Sequence, residues 1–225
     1  MSELPATPDV AFSSLAPMRL RLRNLREDIV LSVERLYPSG SGLHICDHVV
    51  IGVLNRTADL LDGILLLTDN WNFVAAVPLV RLLVDSLIRL MYLESRPDRD
   101  TLAKKVLAGT SFRELRDTDK AKLTDRRLVD LAARRYRWVS EVYAQTTDFV
   151  HLSHRVCFQP FSPLDENDDC HMWVGGSGRT WPEDAIDALY EMAIGCAKAT
   201  LETAYLVRGM PLPPIDTPGG DEQRT

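Results

Sequence analysis

The chain has 225 residues, of which 45% are hydrophobic and 26% are charged, and its formal net charge is -6. A chain of this length buries roughly 70 to 75% of its unfolded surface, so it needs neither disulfides nor a structural metal to form a core. The composition is that of a globular protein and excludes the disordered and fibrous classes. The negative net charge argues against general binding to nucleic acid or to anionic membranes, because such surfaces carry an excess of Lys and Arg.

The first sixteen residues lack the features of a secretory signal. They are rich in Ser, Pro and Ala, and they show no basic start followed by a continuous apolar stretch. We predict that residues 1–16 form a flexible arm.

The cysteines are widely spread and include no C-x-x-C pair. This spacing does not fit a zinc site and is typical of free thiols in a reducing compartment, so we expect a cytoplasmic protein. The four cysteines are Cys46, Cys157, Cys170 and Cys196.

Two amphipathic helices are predicted in the first third of the chain. Apolar residues recur at three- and four-residue steps from Pro17 to Tyr37, and the turn residues Pro38 to Gly42 then end this helix. A second helix, with one polar face, is predicted from about Cys46 to Thr68.

A third predicted helix, Trp71 to Glu94, is apolar on almost every side, which is typical of a helix surrounded by other helices. Its charged residues Arg81, Asp85 and Arg89 are four residues apart and therefore share one face. Three charges near a bilayer centre would each cost about 2.5 to 3.5 kcal/mol, so we predict no membrane span. The stripe is either an ion-pair strut that fixes the position of the helix or part of a functional site, with Arg89 as the more exposed partner.

Further helices are predicted at Thr101 to Leu107 and at Asp125 to His154. A capping box, Thr180 to Glu183, starts a final helix that runs to about Val207 and is ended by Gly209. We therefore predict an all-α fold, a bundle of about five to six helices.

The boundaries of the helical domain are predicted from the positions at which the helical spacing of apolar residues ends. Helical periodicity disappears near 156–178, which predicts a small irregular or two-stranded insertion with strands at 156–161 and 170–174. Residues 17–209 are predicted to form a single helical domain, and the Pro- and Gly-rich tail 210–225 is predicted to be disordered.

A second group of functional candidates lies near the end of the predicted helix 125–154. Asp148, His151 and Arg155 follow one another at three- and four-residue steps. A carboxylate one turn before an imidazole can orient it for acid–base work, and Arg155 could bind an anion. Alternatively, His151 and Arg155 simply interact with the dipole at the end of a helix.

A metal site is a further hypothesis. His44 and His48 have the spacing by which one helical face offers two metal ligands, and Asp47 or Asp59 with a later histidine could complete the set. Gly42 lies just before His44, which indicates that the first histidine is not helical. We predict no metal and no cofactor.

Basic residues concentrate between 113 and 137, interspersed with acidic ones. We favour a solvated face of mixed charge, and contact with the backbone of RNA or DNA is the alternative. The basic residues are Arg113, Arg116, Lys120, Lys122, Arg126, Arg127, Arg134, Arg135 and Arg137.

Two short motifs resemble those of an uncharacterised bacterial all-helical family of unknown function. The family helix A-x-x-L-x-R-x-x-x-E corresponds to Ala76 to Asp85, and its later helix end S-x-x-V-H corresponds to Thr147 to His151. This sequence has Asp85 in place of Glu and Thr147 in place of Ser, which keeps the chemical type. The resemblance covers about Cys46 to His154.

This resemblance implies an all-α bundle that brings Arg81, Asp85 and His151 together. It also suggests a distant relation to HEPN-type ribonucleases of bacterial defence systems. Those enzymes use R-x4-6-H, and no histidine of this sequence has an arginine at that distance before it. The missing motif counts against a nuclease.

Our leading hypothesis is a helical domain that binds a small anionic ligand or a protein partner, with a homodimer left open. The ligand-binding candidates are Arg81, Asp85, Asp148, His151 and Arg155. The alternatives are a metal-binding bundle and a metal-independent RNase. In the RNase, the candidate catalytic residues are His151 as the base, Arg81, Asp85 and Asp148.

Overall fold

A computed structural model of the protein describes residues 16–151, 153, 157 and 183–212. Within these residues the fold is all-α, as predicted, with seven α-helices and no strand. The helices are α1 Ala16–Leu36, α2 Ile45–Asp69, α3 Phe73–Glu94, α4 Arg99–Leu107, α5 Asp125–Ala132, α6 Trp138–Val150 and α7 Glu183–Arg208. A short 3-10 turn, Phe112–Glu114, lies between α4 and α5.

Helix α3 is the centre of the bundle and contacts α2, α4, α5, α6 and α7. Its apolar residues point in every direction, so each neighbour buries a different stripe of it. The buried polar residues of α3 are Arg81 and Ser86. Within the described part of the chain, none of the helices has the length and apolar character that a membrane crossing requires.

Helix α1 closes one side of the bundle by packing on α2 and α7. Arg19 and Arg26 of α1 pair with Asp69 and Asp62 of α2, at 2.5 and 2.9 Å. The apolar core draws on all seven helices.

The central helix α3 begins two residues later than predicted. Trp71 has a φ of 56°, which is not helical, so Trp71 does not open α3. The side chain of Asn72 instead accepts a hydrogen bond from the backbone N–H of Ala75 at 3.3 Å and caps the helix. Pro78 lies inside α3, and the helix continues through it.

The prediction of one helix from Asp125 to His154 is wrong. The chain leaves the helical path after α5 and starts again at Trp138. The break allows the Tyr136 hydroxyl to donate to the Glu202 carboxylate of α7 at 2.5 Å, while α6 packs along α3. These contacts outweigh the local preference for a continuous helix.

The last helix ends as predicted. Gly209 follows α7 with a φ of 65°, the left-handed conformation that glycine adopts at helix ends. The capping box at Thr180 lies outside the described residues, as do residues 1–15 of the predicted arm and residues 213–225 of the predicted tail. Ala16, the last residue of the predicted arm, is instead the first residue of α1.

The predicted insertion also lies largely outside the described residues. Cys157 belongs to the first predicted strand, and its backbone N–H donates to the Ser153 carbonyl at 3.0 Å, which is a helical bond rather than a strand bond. The rest of strand 156–161 and all of strand 170–174 fall outside the described part of the chain.

Candidate functional site

The polar stripe of α3 forms the ion pairs that its spacing predicts. Arg81 and Asp85 are bonded across one helical turn, and Arg89 Nη1 lies 3.2 Å from the same Asp85 oxygen. Arg89 is half-buried rather than the exposed partner that we expected. The structure therefore brings Arg81 and Asp85 together and adds Arg89 to them.

Asp125 extends this network to the next helix. It is the first residue of α5, where a carboxylate is favoured by the helix dipole. One of its oxygens lies 2.9 Å from Arg89 Nη2, and the other lies 2.8 Å from Arg113 Nη2. Arg113 comes from the 3-10 turn, so three separate elements meet at this carboxylate.

Helix α6 covers the buried end of the network. The Arg81 guanidinium carbon lies 3.6 Å from the centre of the Tyr143 ring, a cation–π contact. We call Arg81, Asp85, Arg89, Arg113, Asp125 and Tyr143 the arginine cluster.

The arginine cluster carries more positive than negative charge, since it contains three guanidinium groups and two carboxylates. Burial opposes the ionisation of Asp125, but the hydrogen bond from Arg113 and the charge of Arg89 outweigh it, so the pKa of Asp125 is lowered. The hydrogen bond to Asp125 likewise raises the pKa of Arg113. Both groups are therefore charged at neutral pH, and one positive charge is left in excess.

The cluster also has a gradient of exposure. The Arg81 side chain is 11% exposed, whereas that of Arg113 is 71% exposed. The network thus leads from a buried arginine under an aromatic ring to an arginine in open solvent.

The predicted Asp148, His151 and Arg155 group lies farther along α6. Asp148 is half-buried on α6, and His151 is exposed immediately after the helix. Arg155 lies outside the described residues.

The register of α3 and α6 sets the distance between these two groups. The Phe73 and Phe149 rings lie 6.2 Å apart, and Arg81 lies on Tyr143, so the two helices run antiparallel. His151 follows Tyr143 by eight residues, which is about 12 Å along a helix axis. The His151 backbone therefore lies about two helical turns beyond the ring that covers Arg81.

The histidine pair at the start of α2 has a structural contact. His44 is the residue before α2 and has an extended backbone, as Gly42 indicated, and His48 Nδ1 lies 3.3 Å from the His44 carbonyl oxygen. Among the residues that the structure describes, no group of three or more His, Cys, Asp or Glu is arranged to hold a metal ion.

Asp47 has a role that sequence reasoning missed. It is 2% exposed and accepts from Arg208 Nη1 at 2.9 Å, from the His44 backbone N–H at 2.6 Å and from the Tyr37 hydroxyl at 3.3 Å. Burial, followed by the nearby Asp47 charge, raises the pKa of Tyr37. Asp47 therefore joins the start of α2 to the end of α7.

The basic stretch between 113 and 137 contains several ion pairs. Arg127 pairs with Asp117 at 2.7 Å and with Asp119 at 2.6 Å, and Arg126 pairs with Asp130 at 3.2 Å. These pairs support the interpretation of a mixed-charge face, and contact with nucleic acid stays the alternative.

Sequence reasoning also missed the contribution of Arg113, Asp125 and Tyr143 to the cluster. Arg113 and Asp125 were visible only as members of a mixed-charge stretch, and Tyr143 only as an apolar position of a helix. No local spacing connects them to α3, because the connection is made by the packing of α5 and α6 on it.

These residues lie in the part of the chain that matches a known family model. Residues 47–155 match DUF5677, a family of unknown function. The match confirms the predicted resemblance to such a family and agrees closely with its predicted extent. Every member of the arginine cluster lies within the DUF5677 region, whereas α1 and α7 lie outside it. Neither a curated protein nor a solved structure gives a significant match to the chain.

Proposed function

We propose that this protein is a binding domain that holds a small anion at the arginine cluster. The proposal rests on Arg81, which is only 9% exposed and makes few polar contacts. Among the described residues, its guanidinium hydrogen-bonds to Asp85 alone, and it also lies over the π face of Tyr143.

An arginine carries five N–H donors in a planar fork, so the bond to Asp85 leaves most of this capacity for another group. A structural strut does not require these donors, because such a strut can be built from apolar residues instead. A bound carboxylate or phosphate would satisfy these donors with two parallel hydrogen bonds.

The excess charge of the cluster supports the same class of ligand. Asp85 and Asp125 are each shared between two arginines, so they hold the guanidinium groups in place without cancelling all of their charge. Arg113 stands at the solvent end, where it can attract an anion and close over it.

The other predicted site residues, Asp148, His151 and Arg155, would contact only a ligand longer than a small anion. A molecule long enough to run about two helical turns along α6 could reach His151 from Arg81. Binding to a protein partner through the same polar surface is the other form of the proposal.

The RNA-cleaving alternative requires His151 and Arg81 to act on one phosphate. The helix register favours the binding role over this mechanism, because the two positions differ by about 12 Å along α6. A ribonuclease assay with His151→Ala tests the alternative directly: a loss of RNA cleavage that the folded wild type performs would establish it.

The anion site is tested by thermal unfolding and calorimetry with two probes, inorganic phosphate and malonate, against chloride at equal ionic strength. The two probes separate a phosphate site from a carboxylate site. A probe at 100 times its Kd stabilises the protein by about 2.7 kcal/mol, which raises the melting temperature measurably.

Arg113→Gln is the decisive variant because the exposed side chain can be changed without disturbing the core. We expect it to weaken binding of the effective probe at least fivefold, while Arg126→Gln, an exposed change on α5, leaves binding unchanged. Arg81→Gln should abolish binding, and circular dichroism shows whether it is still folded. Equal binding by wild type and Arg113→Gln, or no binding of either probe to the wild type, would refute the proposal.

A further inference from the structure

A cavity of about 440 Å³ lies between α3 and α5, and none of the residues that line it belongs to the arginine cluster. This volume falls within the range of roughly 300 to 1,000 Å³ that is typical of small-molecule sites. Its floor is formed by Ile88, Met91, Leu131 and Ala132, and its rim includes Arg134 and Arg135.

The floor of this cavity offers little to a polar ligand. Ile88, Met91 and Ala132 are buried apolar residues, and Met91 is a flexible side chain that adapts to irregular apolar groups. The nearby Tyr92 hydroxyl is already bonded to Asp117 at 3.2 Å, and the Ser95 hydroxyl donates to the Tyr92 carbonyl at 2.8 Å.

The two arginines of the rim differ in their partners. Arg135 Nη2 lies 2.8 Å from the Glu94 carboxylate, which compensates its charge. Arg134 is exposed, and among the described residues no carboxylate lies within ion-pair distance of it. The rim therefore carries one uncompensated guanidinium above an apolar floor.

We propose that this cavity binds a small amphipathic carboxylate, an alkyl chain that lies on the floor with its anionic end on Arg134. The apolar floor selects the chain, and the guanidinium fork matches the geometry of a carboxylate. The hydroxyl groups of Tyr92 and Ser95, which also line the cavity, already donate within the protein, so they offer a ligand acceptor oxygens only. This site shares no residue with the arginine cluster, so its test does not depend on the function proposed above.

Isothermal titration of the full chain with hexanoate, octanoate and decanoate tests the floor. Each added methylene group that enters the cavity should tighten Kd about fourfold. Removing the charge should weaken binding, so 1-decanol is expected to bind at least fivefold more weakly than decanoate. Affinity that is independent of chain length, or equal for the alcohol and the acid, would overturn the proposal.

Arg134→Gln tests the rim, and Arg126→Gln is its matched control on the exposed side of α5. We expect Arg134→Gln to raise the Kd of decanoate roughly tenfold and Arg126→Gln to leave it unchanged. Equal effects of the two variants would show that the acid binds elsewhere.

Ser95→Trp provides a second, steric test at an exposed rim position and should prevent decanoate binding in a protein that keeps its helical circular dichroism. The other molecule that could fill the cavity is a second copy of the chain. Sedimentation of the unliganded wild type shows whether such a dimer forms. A dimer that Ser95→Trp dissociates would overturn the proposal of a small-molecule site.

Discussion

Several carboxylates of this protein each receive more than one cation or donor, and Asp47 is the most buried of them. Its three partners come from the residue after α1, from the residue before α2 and from the end of α7. The Arg208 guanidinium also lies 4.9 Å from the centre of the Tyr37 ring, so all four groups are packed as a unit. A change at this single residue affects three elements.

Asp47→Ala should destabilise the protein by about 3 kcal/mol, because it leaves a half-buried guanidinium and a backbone N–H without their partner. Urea unfolding followed by circular dichroism measures this loss. The control is Asp59→Ala, an exposed aspartate of the same helix, which should change stability by less than about 0.5 kcal/mol. Similar losses for both variants would contradict the role of the buried pair.

Burial also makes the cysteines differ in reactivity. Cys46 is buried, and desolvation, followed by the charge of Asp100, raises the pKa of its thiol to about 11. Complete burial also raises the pKa of Cys196, whereas Cys157 is exposed.

We therefore expect iodoacetamide at pH 8 to alkylate Cys157 well before Cys46 and Cys196. At this pH, a pKa of about 11 leaves Cys46 with on the order of one thiolate in a thousand molecules. Peptide mass spectrometry over time gives the three rates, and the difference should vanish in denaturant. Rapid labelling of Cys46 in the folded protein would show that α2 opens at its start.

At the scale of elements, helix α3 depends on its first turn. Trp71 holds a left-handed backbone conformation, and Asn72 then provides the cap that starts the helix. Five helices pack on α3, so the position of this start affects every contact that follows.

Asn72→Ala removes the cap and should lower the free energy of unfolding by about 1 kcal/mol. Asn72→Asp keeps a side-chain acceptor at the same place and should restore most of the loss. Chemical denaturation of both variants measures the two values. If Asn72→Ala matched the wild type, the hydrogen bond at 3.3 Å would contribute nothing to the helix.

At the scale of the whole molecule, Asp117 connects the charged segment before α5 to α3 and α5. Its carboxylate receives Arg127 Nη2 at 2.7 Å, the Tyr92 hydroxyl at 3.2 Å and the Thr118 backbone N–H at 2.8 Å. Burial opposes the ionisation of Asp117, but these hydrogen bonds and the charge of Arg127 outweigh it, so its pKa is lowered from 3.8.

A carboxyl group whose pKa is lower in the folded protein stabilises it fully above its ordinary pKa. This contribution is lost as the pH falls through the lowered, folded value. Wild type should therefore be more stable than Asp117→Asn at pH 7, and the difference should shrink below about pH 4.

Urea unfolding at several pH values measures this convergence, with Asp59→Asn as the exposed control. A difference between wild type and Asp117→Asn that stays constant down to pH 2 would contradict the linkage.

The sequence by itself determined the fold class and most of the helices. Apolar spacing located α1, α2 and α3 to within a few residues, because a helix must place its apolar residues at helical spacing wherever it packs. End signals located α7, since Gly209 follows its last turn. The same rule put Arg81 and Asp85 on one face, since that contact depends only on a helical turn.

Only the tertiary structure decided what surrounds that face. Asp125 reaches Arg89 because α5 packs on α3, and Arg113 bonds to Asp125 from the 3-10 turn. Tyr143 reaches Arg81 because the chain breaks after α5 and α6 packs antiparallel on α3. Local spacing carries no information about contacts between distant segments. Packing alone therefore joined the predicted pair to Arg113, Asp125 and Tyr143 and set His151 about 12 Å farther along α6.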